Sequence, residues 1–271
     1  MSVNISITRD QSPEAQVVEQ GTTGLDLFGN DRSIVAMAVN GTTVDLATLV
    51  HDGDQISPIL MTSDEGLAIV RHSAAHVTAQ ALQQIFPEAK LGIGPPIVDG
   101  FYYDFQTAPL TPEDLKAIEK RMGQIVKERQ RFVRRAVTDE EARAELADEP
   151  FKLELITDKG SASDDDGSSV EVGAGELTIY DNVRRDGSVA WKDLCRGPHV
   201  PHTGYLGNGW GLTRSSAAYW RGDQRNAGLQ RVYGTAWPSK DELSAYKTRL
   251  EEAAKRDHRK LGQELDLFSF H

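Results

Sequence analysis

One cysteine and three histidines are the residues in this sequence whose types and spacing suit chemistry. Cys195, the single cysteine of the chain, precedes His199 by four positions in DLCRGPHVPHTG. His72 and His76 are also four positions apart, in RHSAAHVTAQAL. Together the four side chains have the number and softness of ligands that a tetrahedral zinc site uses. They suit equally a metal-free hydrolytic pocket, in which imidazoles orient and deprotonate a water molecule.

Each pair taken alone has a simpler explanation. Two histidines on one helix face often only border a core, and a lone cysteine is often a small buried hydrophobic residue. The two pairs together favour one shared pocket over two coincidences. Asp193 is a candidate acceptor that would orient one histidine, with an exposed acid before a turn as the alternative. Lys152, in EPFKLELI, has no chemical signal of its own, since most lysines are solvated.

The histidine pair is expected on a helix and the cysteine pair in an irregular segment. Residues 64–86 have apolar residues at intervals of three and four and end at Pro87, which predicts a helix. The two histidines then project from one face, one turn apart, with the apolar stripe on a different face. Gly197 and Pro198 keep the segment after Cys195 from forming a regular helix.

The first sixty residues predict a small β-rich unit. Asn40 and Gly41 tolerate the positive φ of a type I′ turn and predict a hairpin, and Thr22 or Thr23 is the expected cap of a short helix. The predicted elements are the strand SVNISIT (2–8), the helix GTTGLDLF (21–28), the hairpin IVAMAVNGTTVDL (34–46) and the strand QISPIL (55–60). Four short strands and one helix suggest a ubiquitin-like β-grasp unit.

The remainder predicts a larger mixed unit and a connector helix. Thr111 is the expected N-cap of a helix that continues towards Arg135. The other predicted elements are two strands in 91–105, strands at 151–156, 178–183 and 188–194, a polar glycine-rich surface loop at 159–176, and a charged helix at 239–265. The predicted fold class is therefore α+β. A β-grasp domain (1–63) would be followed by a larger α/β domain (64–238) and by a linker helix (239–271).

Charge and hydropathy exclude some classes of protein. The net charge is −11, but residues 1–63 alone carry eight acidic residues against two arginines. Basic clusters at 129–135 and 255–260 leave a nucleic-acid partner open. No stretch approaches the roughly 18 apolar residues of a membrane span, and no secretory signal is visible. A single cysteine forms no internal disulfide, so we expect a cytoplasmic protein.

Five motifs, taken in order, resemble the N-terminal half of bacterial threonyl-tRNA synthetases. They are RHSAAHVTAQAL, LGIGPPIVDGFYYDF, DLCRGPHVPHTG, SSAAYWRGDQRNAGLQRVYGTAW and EEAAKRDHRKLGQELDLFSF. VNGTTVDLATLVHDGDQISPI resembles the TGS domain that precedes the editing domain in that family. The two spaced pairs are also similar to the editing domains of alanyl-tRNA synthetases.

The resemblance implies an aminoacyl-tRNA hydrolase that removes serine from mischarged tRNA(Thr). Serine lacks one methyl group of threonine, and a binding pocket gains only about 1–3 kcal/mol from such a group, so a second site must remove the error. The residues that match the family's catalytic pocket are His72, His76, Lys152, Asp193, Cys195 and His199. Gly94 and Tyr103 match positions that line the seryl group.

The mechanism expected from this resemblance is attack by water. His72 with Lys152 would activate the water, and His199 or Lys152 would stabilise the oxyanion. Cys195 with Asp193 would shape the pocket and orient His199. Cys195 as a covalent nucleophile is the less favoured alternative. A zinc-dependent hydrolase is a less favoured hypothesis, and it has more support in the alanyl branch of the family than in the threonyl branch.

The resemblance also implies partners and cofactors. The partner is the acceptor end of tRNA(Thr) carrying serine, and the full-length family enzyme is a homodimer. No cofactor is expected here, because ATP, magnesium and zinc belong to the class II core that follows in the family. The chain ends at LDLFSFH, so a fragment that does not charge tRNA is expected. The alternative function is an acceptor-arm binding module with little activity.

Overall fold

The N-terminal sheet contains five strands in the computed structural model, which describes residues 1–9, 12–29, 31–159, 171–172 and 175–255. Its strands run in the order β2-β1-β5-β3-β4, and β1 pairs with β5 in parallel. The elements are β1 (Ser2–Arg9), β2 (Ser12–Glu19), α1 (Gly24–Phe28), β3 (Ile34–Val39), β4 (Thr42–Val44) and β5 (Gln55–Leu60). The side chains that pack between the sheet and α1 are Ile5, Ile7, Phe28, Ile34, Met37, Leu46, Val50 and Ile56.

Capping and turn residues in the sequence predicted most of these elements correctly. Thr23 caps α1 with a reciprocal capping box, and Asn40 and Gly41 turn the β3–β4 hairpin with φ of 52° and 83°. Strand β2 was not predicted. It is an edge strand whose side chains are almost all exposed, so the alternation of apolar and polar residues that reveals a half-buried strand is missing.

Two further sheets and five helices form the rest of the described chain, and every strand pair in these sheets is antiparallel. One sheet has the order β11-β10-β9; the other has the order β12-β13-β8-β6, with β7 also on β8. The elements are α2 (Asp64–Ile85), β6 (Lys90–Leu91), β7 (Pro96–Ile97), β8 (Gly100–Gln106), α3 (Pro112–Glu128), β9 (Arg131–Val137), α4 (Asp139–Glu145), α5 (Pro150–Thr157), β10 (Leu177–Val183), β11 (Val189–Leu194), β12 (Trp210–Tyr219), β13 (Gly228–Ala236) and α6 (Lys240–Lys255). The α+β class is confirmed.

Helix α2 is the central element of this part. Ser63 caps its N-terminus, and every residue from 69 to 82 is buried. The helix packs against α3, β8, β13, β3 and β11. The expectation of a separate apolar stripe was therefore wrong, because neighbours cover the helix on all sides. Its two histidines lie inside the protein.

Two predicted elements change type or length. Helix α3 begins after Thr111 as expected but ends at Glu128, and Arg129 adopts a left-handed conformation. Residues 131–137 form β9 instead, because they pair with β10 along seven consecutive positions. The apolar residues of this segment keep a helical spacing in the sequence, but pairing with β10 makes the segment a strand.

The predicted strand FKLELI is helix α5. Pro150 occupies the first turn, where its fixed φ favours a helix and its missing N–H costs nothing. Phe151, Lys152, Leu155 and Ile156 are the buried residues. This i, i+1, i+4, i+5 spacing is helical, so Lys152 reaches the interior from a helix.

The charged helix predicted at 239–265 is α6 as far as Lys255, and its remainder lies outside the described residues. Most of the predicted polar loop also lies outside them. No helix in the described ranges is long and apolar enough to cross a membrane.

Candidate active site

Cys195 lies among three histidines. Its Sγ atom is 3.3 Å from Nε2 of His72 and 3.5 Å from Nε2 of His199. The ring centroid of His76 is 5.1 Å from that of His72 and 4.2 Å from that of His199. None of the four residues is more than 4% exposed. The two pairs that are separate in sequence thus form one cluster between α2 and the segment after β11.

The hydrogen-bond network assigns the tautomers of two histidines. His72 donates to the carbonyl of Pro198, and its Nε2 faces the sulfur. Ser73 Oγ donates to the carbonyl of Ile69 at 2.8 Å and lies 3.0 Å from Nδ1 of His199. The hydroxyl therefore accepts from Nδ1 of His199. Both Nε2 atoms that face the sulfur carry lone pairs, and the thiol is the donor between them.

His76 connects this cluster to a second, charged one. Neither of its ring nitrogens has a hydrogen-bond partner among the described residues. Its Nε2 is 3.8 Å from Oδ2 of Asp193, and both side chains are fully buried. Asp193 was expected to help orient His199. It lies instead beside His76, beyond hydrogen-bond distance, and Ser73 holds the ring of His199.

Lys152 is the centre of the charged cluster. Its Nζ lies 3.0 Å from Oδ1 of Asp193 and 2.5 Å from Oε2 of Glu171. Tyr103 donates its hydroxyl to Oδ2 of Asp193 at 2.5 Å, and the backbone N–H of Gly94 donates to Oε1 of Glu171 at 3.1 Å. One buried cation thus bridges two buried carboxylates, and Gly94 and Tyr103 each hold one of them.

The structure brings all eight sequence-predicted site residues into one buried group of contacting residues, while their roles stay predictions. It adds two that sequence reasoning missed. Ser73 lies next to His72 in the sequence and could have been included once α2 was known to be buried. Glu171 lies in the polar, glycine-rich segment that was predicted to be a surface loop, and no local signal distinguishes it from the acids around it.

Burial keeps the histidines and the thiol neutral. Desolvation first, and the Lys152 charge second, lower the pKa of His72 to about 4. Desolvation also holds the pKa values of His76 and His199 well below the usual range. It raises the pKa of the Cys195 thiol well above its usual range. A neutral imidazole accepts a proton, whereas a protonated thiol is a poor nucleophile.

The charged cluster keeps Lys152 protonated. Burial alone would lower its pKa, but Asp193 and Glu171 outweigh that effect and the pKa is raised. Burial raises the pKa of Glu171 to about 7, against the opposing effect of Lys152. Burial likewise raises the pKa of Asp193, although Lys152 and Tyr103 favour its ionised form.

The four residues of the Cys–His cluster also fit a zinc ion. A tetrahedral site with ordinary Zn–N and Zn–S bonds has ligand–ligand distances of about 3.3–3.6 Å. The two sulfur–nitrogen distances match, and no pair of ligand atoms is more than 4.8 Å apart. His76, which lacks a hydrogen-bond partner in the described part of the chain, has a nitrogen to offer. His72, His76, Cys195 and His199 would hold the metal.

Two cavities approach the Cys–His cluster along the border with the N-terminal sheet. One, of about 680 Å³, is lined by Arg134, Arg196 and Asp45, among others. The second, of about 470 Å³, is lined by Arg131, Arg134 and Asp45 and reaches His199. Arginine side chains at both cavities suit the phosphates of a polynucleotide end.

The sequence of this chain is similar to those of known aminoacyl-tRNA synthetases. Residues 175–233, which include Cys195 and His199, match the family described as the threonyl and alanyl tRNA synthetase second additional domain. A threonine--tRNA ligase of Cutibacterium acnes is 62% identical over 271 residues, covering 100% of this chain and 39% of that protein. One of Streptomyces avermitilis is 62% identical over 269 residues, covering 98% of this chain and 41% of that protein.

A third relative, the threonine--tRNA ligase of Leifsonia xyli, is 65% identical over 259 residues, covering 93% of this chain and 37% of that protein. The chain thus spans about two-fifths of the length of these relatives. The sequence resemblance to the synthetase family is confirmed. Over its whole length the chain is similar to the N-terminal part of threonine--tRNA ligases, and its residues 175–233 match the second additional domain of threonyl and alanyl tRNA synthetases.

Proposed function

We propose that this chain hydrolyses the ester bond of seryl-tRNA(Thr) and so removes mischarged serine. The observation that carries the proposal is the continuous buried group of side chains that joins the Cys–His cluster to Lys152 through His76 and Asp193. These side chains supply a neutral base and a fixed cation, two groups that promote ester hydrolysis by water. The homology to threonine--tRNA ligases supports the choice of tRNA(Thr) as the substrate.

In the proposed reaction, His72 accepts a proton from water while the water oxygen bonds to the seryl carbonyl carbon. The carbonyl electrons move to the oxygen, where the Lys152 ammonium stabilises the negative charge. The intermediate then expels the ribose oxygen, which takes up the proton held by His72, and serine leaves as the free acid. Neutral His72 is a weak base, so the electrostatic contribution of Lys152 must be large.

Selection against threonine is proposed to come from the packing of Gly94 and Tyr103. A methyl group added to Gly94 would fall well inside van der Waals contact with the ring of Tyr103. That ring is fully buried, and Asp193 holds its hydroxyl. We propose that the seryl side chain binds against this wall, which is packed too tightly to move aside for the additional methyl group of threonine.

The proposal is tested by single-turnover deacylation of Ser-tRNA(Thr) and Thr-tRNA(Thr) in chelator. We expect rapid loss of serine, retention of threonine, and a rate lowered on the order of 100-fold or more by His72→Ala. His51→Ala is the matched control, because its side chain is 76% exposed and remote from the pocket. Absence of serine release at saturating protein contradicts metal-free hydrolysis and leaves two alternatives: acceptor-arm binding alone, or hydrolysis that needs a metal or further domains.

A groove of about 740 Å³ supports binding of the RNA backbone whether or not hydrolysis follows. Its cationic lining side chains are Arg32, Lys127, Arg129, Lys240 and Lys247. Contacts between such side chains and phosphates make binding strongly dependent on salt concentration. Affinity for tRNA(Thr), measured against salt alongside the rate, separates a binding module from an esterase.

The second candidate function is a zinc-dependent hydrolase, favoured by the geometry of the Cys–His cluster. If only three of the four residues bound the zinc ion, its open fourth position would supply an activated water at neutral pH. Metal analysis of purified protein tests this alternative. One equivalent of zinc, lost in Cys195→Ser and accompanied by loss of the hydrolytic rate, favours it over the metal-free mechanism.

A further inference from the structure

One carboxylate of the N-terminal sheet reaches the candidate active site. Asp45, which follows β4, accepts a hydrogen bond from the backbone N–H of His199 through Oδ1 at 2.8 Å. Its Oδ2 accepts the hydroxyl of Tyr180 at 2.6 Å. Both bonds connect residues more than a hundred positions apart in the sequence. Each carboxylate oxygen of Asp45 thus accepts a hydrogen bond from a residue at the Cys–His cluster.

His199 is held from every direction, and Asp45 completes the set of contacts. The edge of the Tyr180 ring meets the imidazole at 4.6 Å between centroids, and Phe132 stacks on it at 4.7 Å with an interplanar angle of 11°. Ser73 binds Nδ1. These contacts fix the ring, whereas the bond to Asp45 fixes the backbone from which the ring projects.

We propose that Asp45 is a positioning residue for His199, so that the N-terminal sheet is a structural part of the hydrolytic pocket. This inference rests on the function proposed above. Asp45 acts through two routes: directly on the main chain of His199, and through the Tyr180 hydroxyl on the ring that packs against the imidazole. Displacing either would move Nε2 of His199 relative to the sulfur of Cys195, 3.5 Å away.

The surroundings of Asp45 hold its carboxyl group in one place. Burial raises the pKa of Asp45 above its usual range, and the hydrogen bonds from Tyr180 and the N–H of His199, with the Arg134 charge, offset part of that effect. The same carboxylate raises the pKa of Tyr180 in addition to the effect of burial. Tyr180 therefore remains a donor at any physiological pH.

A second contact between the same parts of the molecule provides a matched control. Thr43 of β4 donates its hydroxyl to the carboxylate of Glu65 in the first turn of α2. This contact does not touch His199. Glu65→Ala therefore weakens the attachment of the N-terminal sheet without releasing the histidine, and it separates loosened packing from lost positioning.

The experiment measures single-turnover hydrolysis of Ser-tRNA(Thr) by the 271-residue chain as a function of protein concentration. Asp45→Ala is expected to lower the maximal rate about 10- to 100-fold, the scale of small misplacements of active-site groups, with unchanged half-saturation. Asp45→Asn keeps one acceptor for the His199 N–H and is expected to recover most of the rate. Tyr180→Phe should fall between these variants, and Glu65→Ala should equal wild type.

A readout independent of activity is the NMR spectrum of protein labelled with ¹⁵N-histidine. Asp45→Ala should shift both the backbone amide and the ring nitrogens of His199, whereas Glu65→Ala should leave them in place. Unchanged His199 signals, or an unchanged maximal rate in Asp45→Ala, overturn the inference. If wild type fails to hydrolyse the ester, the proposed function fails, and the His199 signals still decide whether Asp45 positions this residue.

Discussion

The ammonium of Lys152 and the carboxylate of Glu171 form an ion pair 2.5 Å long with no exposed side-chain surface on either partner. A buried pair contributes little net stability, because desolvation offsets the attraction. Removing one partner is different, since the other charge then remains buried without compensation. Four predictions follow from this pair and its neighbours.

Lys152→Met is expected to destabilise the fold by about 3–5 kcal/mol at pH 7, the usual cost of breaking a buried pair. The reason is that Asp193 and Glu171 would both remain in the interior without a cation. Urea denaturation measures the change. Lys192→Met is the matched control: its ammonium pairs with Glu145 at a half-exposed site, where about 0–1 kcal/mol is expected. Equal effects in both variants would contradict the buried-pair account.

Glu171 is expected to make stability fall with rising pH. Its pKa in the folded protein is about 7, above its ordinary value of 4.5. Between pH 4.5 and pH 7 the folded state therefore binds more protons than the unfolded state. The contribution of this group is therefore fully present below about pH 4.5 and is lost as pH rises through 7. The buried histidines, with lowered pKa values, produce the opposite slope. The difference between wild type and Glu171→Gln isolates the carboxylate.

The measurement for Glu171 is the free energy of unfolding at several pH values between 4 and 8, for wild type and Glu171→Gln. The wild type is expected to lose stability relative to the variant across this interval. A difference that does not change with pH would mean that Glu171 has an ordinary pKa in the folded protein. Asp193 titrates in both proteins, so its contribution largely cancels.

Gly94→Ala is expected to destabilise the protein by about 1–3 kcal/mol through overpacking. The new methyl group would meet the Tyr103 ring, which cannot move away without breaking its bond to Asp193. Thermal unfolding reports the loss, and serine release should slow as well. Gly228→Ala is the control, since no atom lies within 4 Å of its added Cβ. A Gly94→Ala protein as stable as Gly228→Ala would show that the Tyr103 wall yields.

Cys195 is expected to resist thiol reagents in the native protein. Its side chain has no exposed surface, and burial raises its pKa well above the usual range. Labelling by iodoacetamide at pH 8 should be on the order of 100-fold slower than in urea, because only a thiolate reacts. Rapid stoichiometric labelling of folded protein would instead support the covalent nucleophile that the water mechanism disfavours.

Short-range order could be predicted from the sequence because it depends on neighbours along the chain. Turn residues Asn40 and Gly41 located a hairpin, and Thr23 and Thr111 located helix starts. The spacing of His72 and His76 placed them on one helical face. Each of these features involves residues only a few positions apart, so local geometry alone determines it.

The sequence by itself determined the local elements and the two spaced pairs that suggest a pocket. Tertiary structure decided that α2 is buried on all sides, that residues 131–137 pair with β10 as a strand, and that Glu171 and Asp45 belong to the site. The bond from His199 to Asp45 spans 154 positions, and that from Cys195 to His72 spans 123. No periodicity encodes such separations. They arise only when distant segments pack around one core, where unpaired polar groups must find partners.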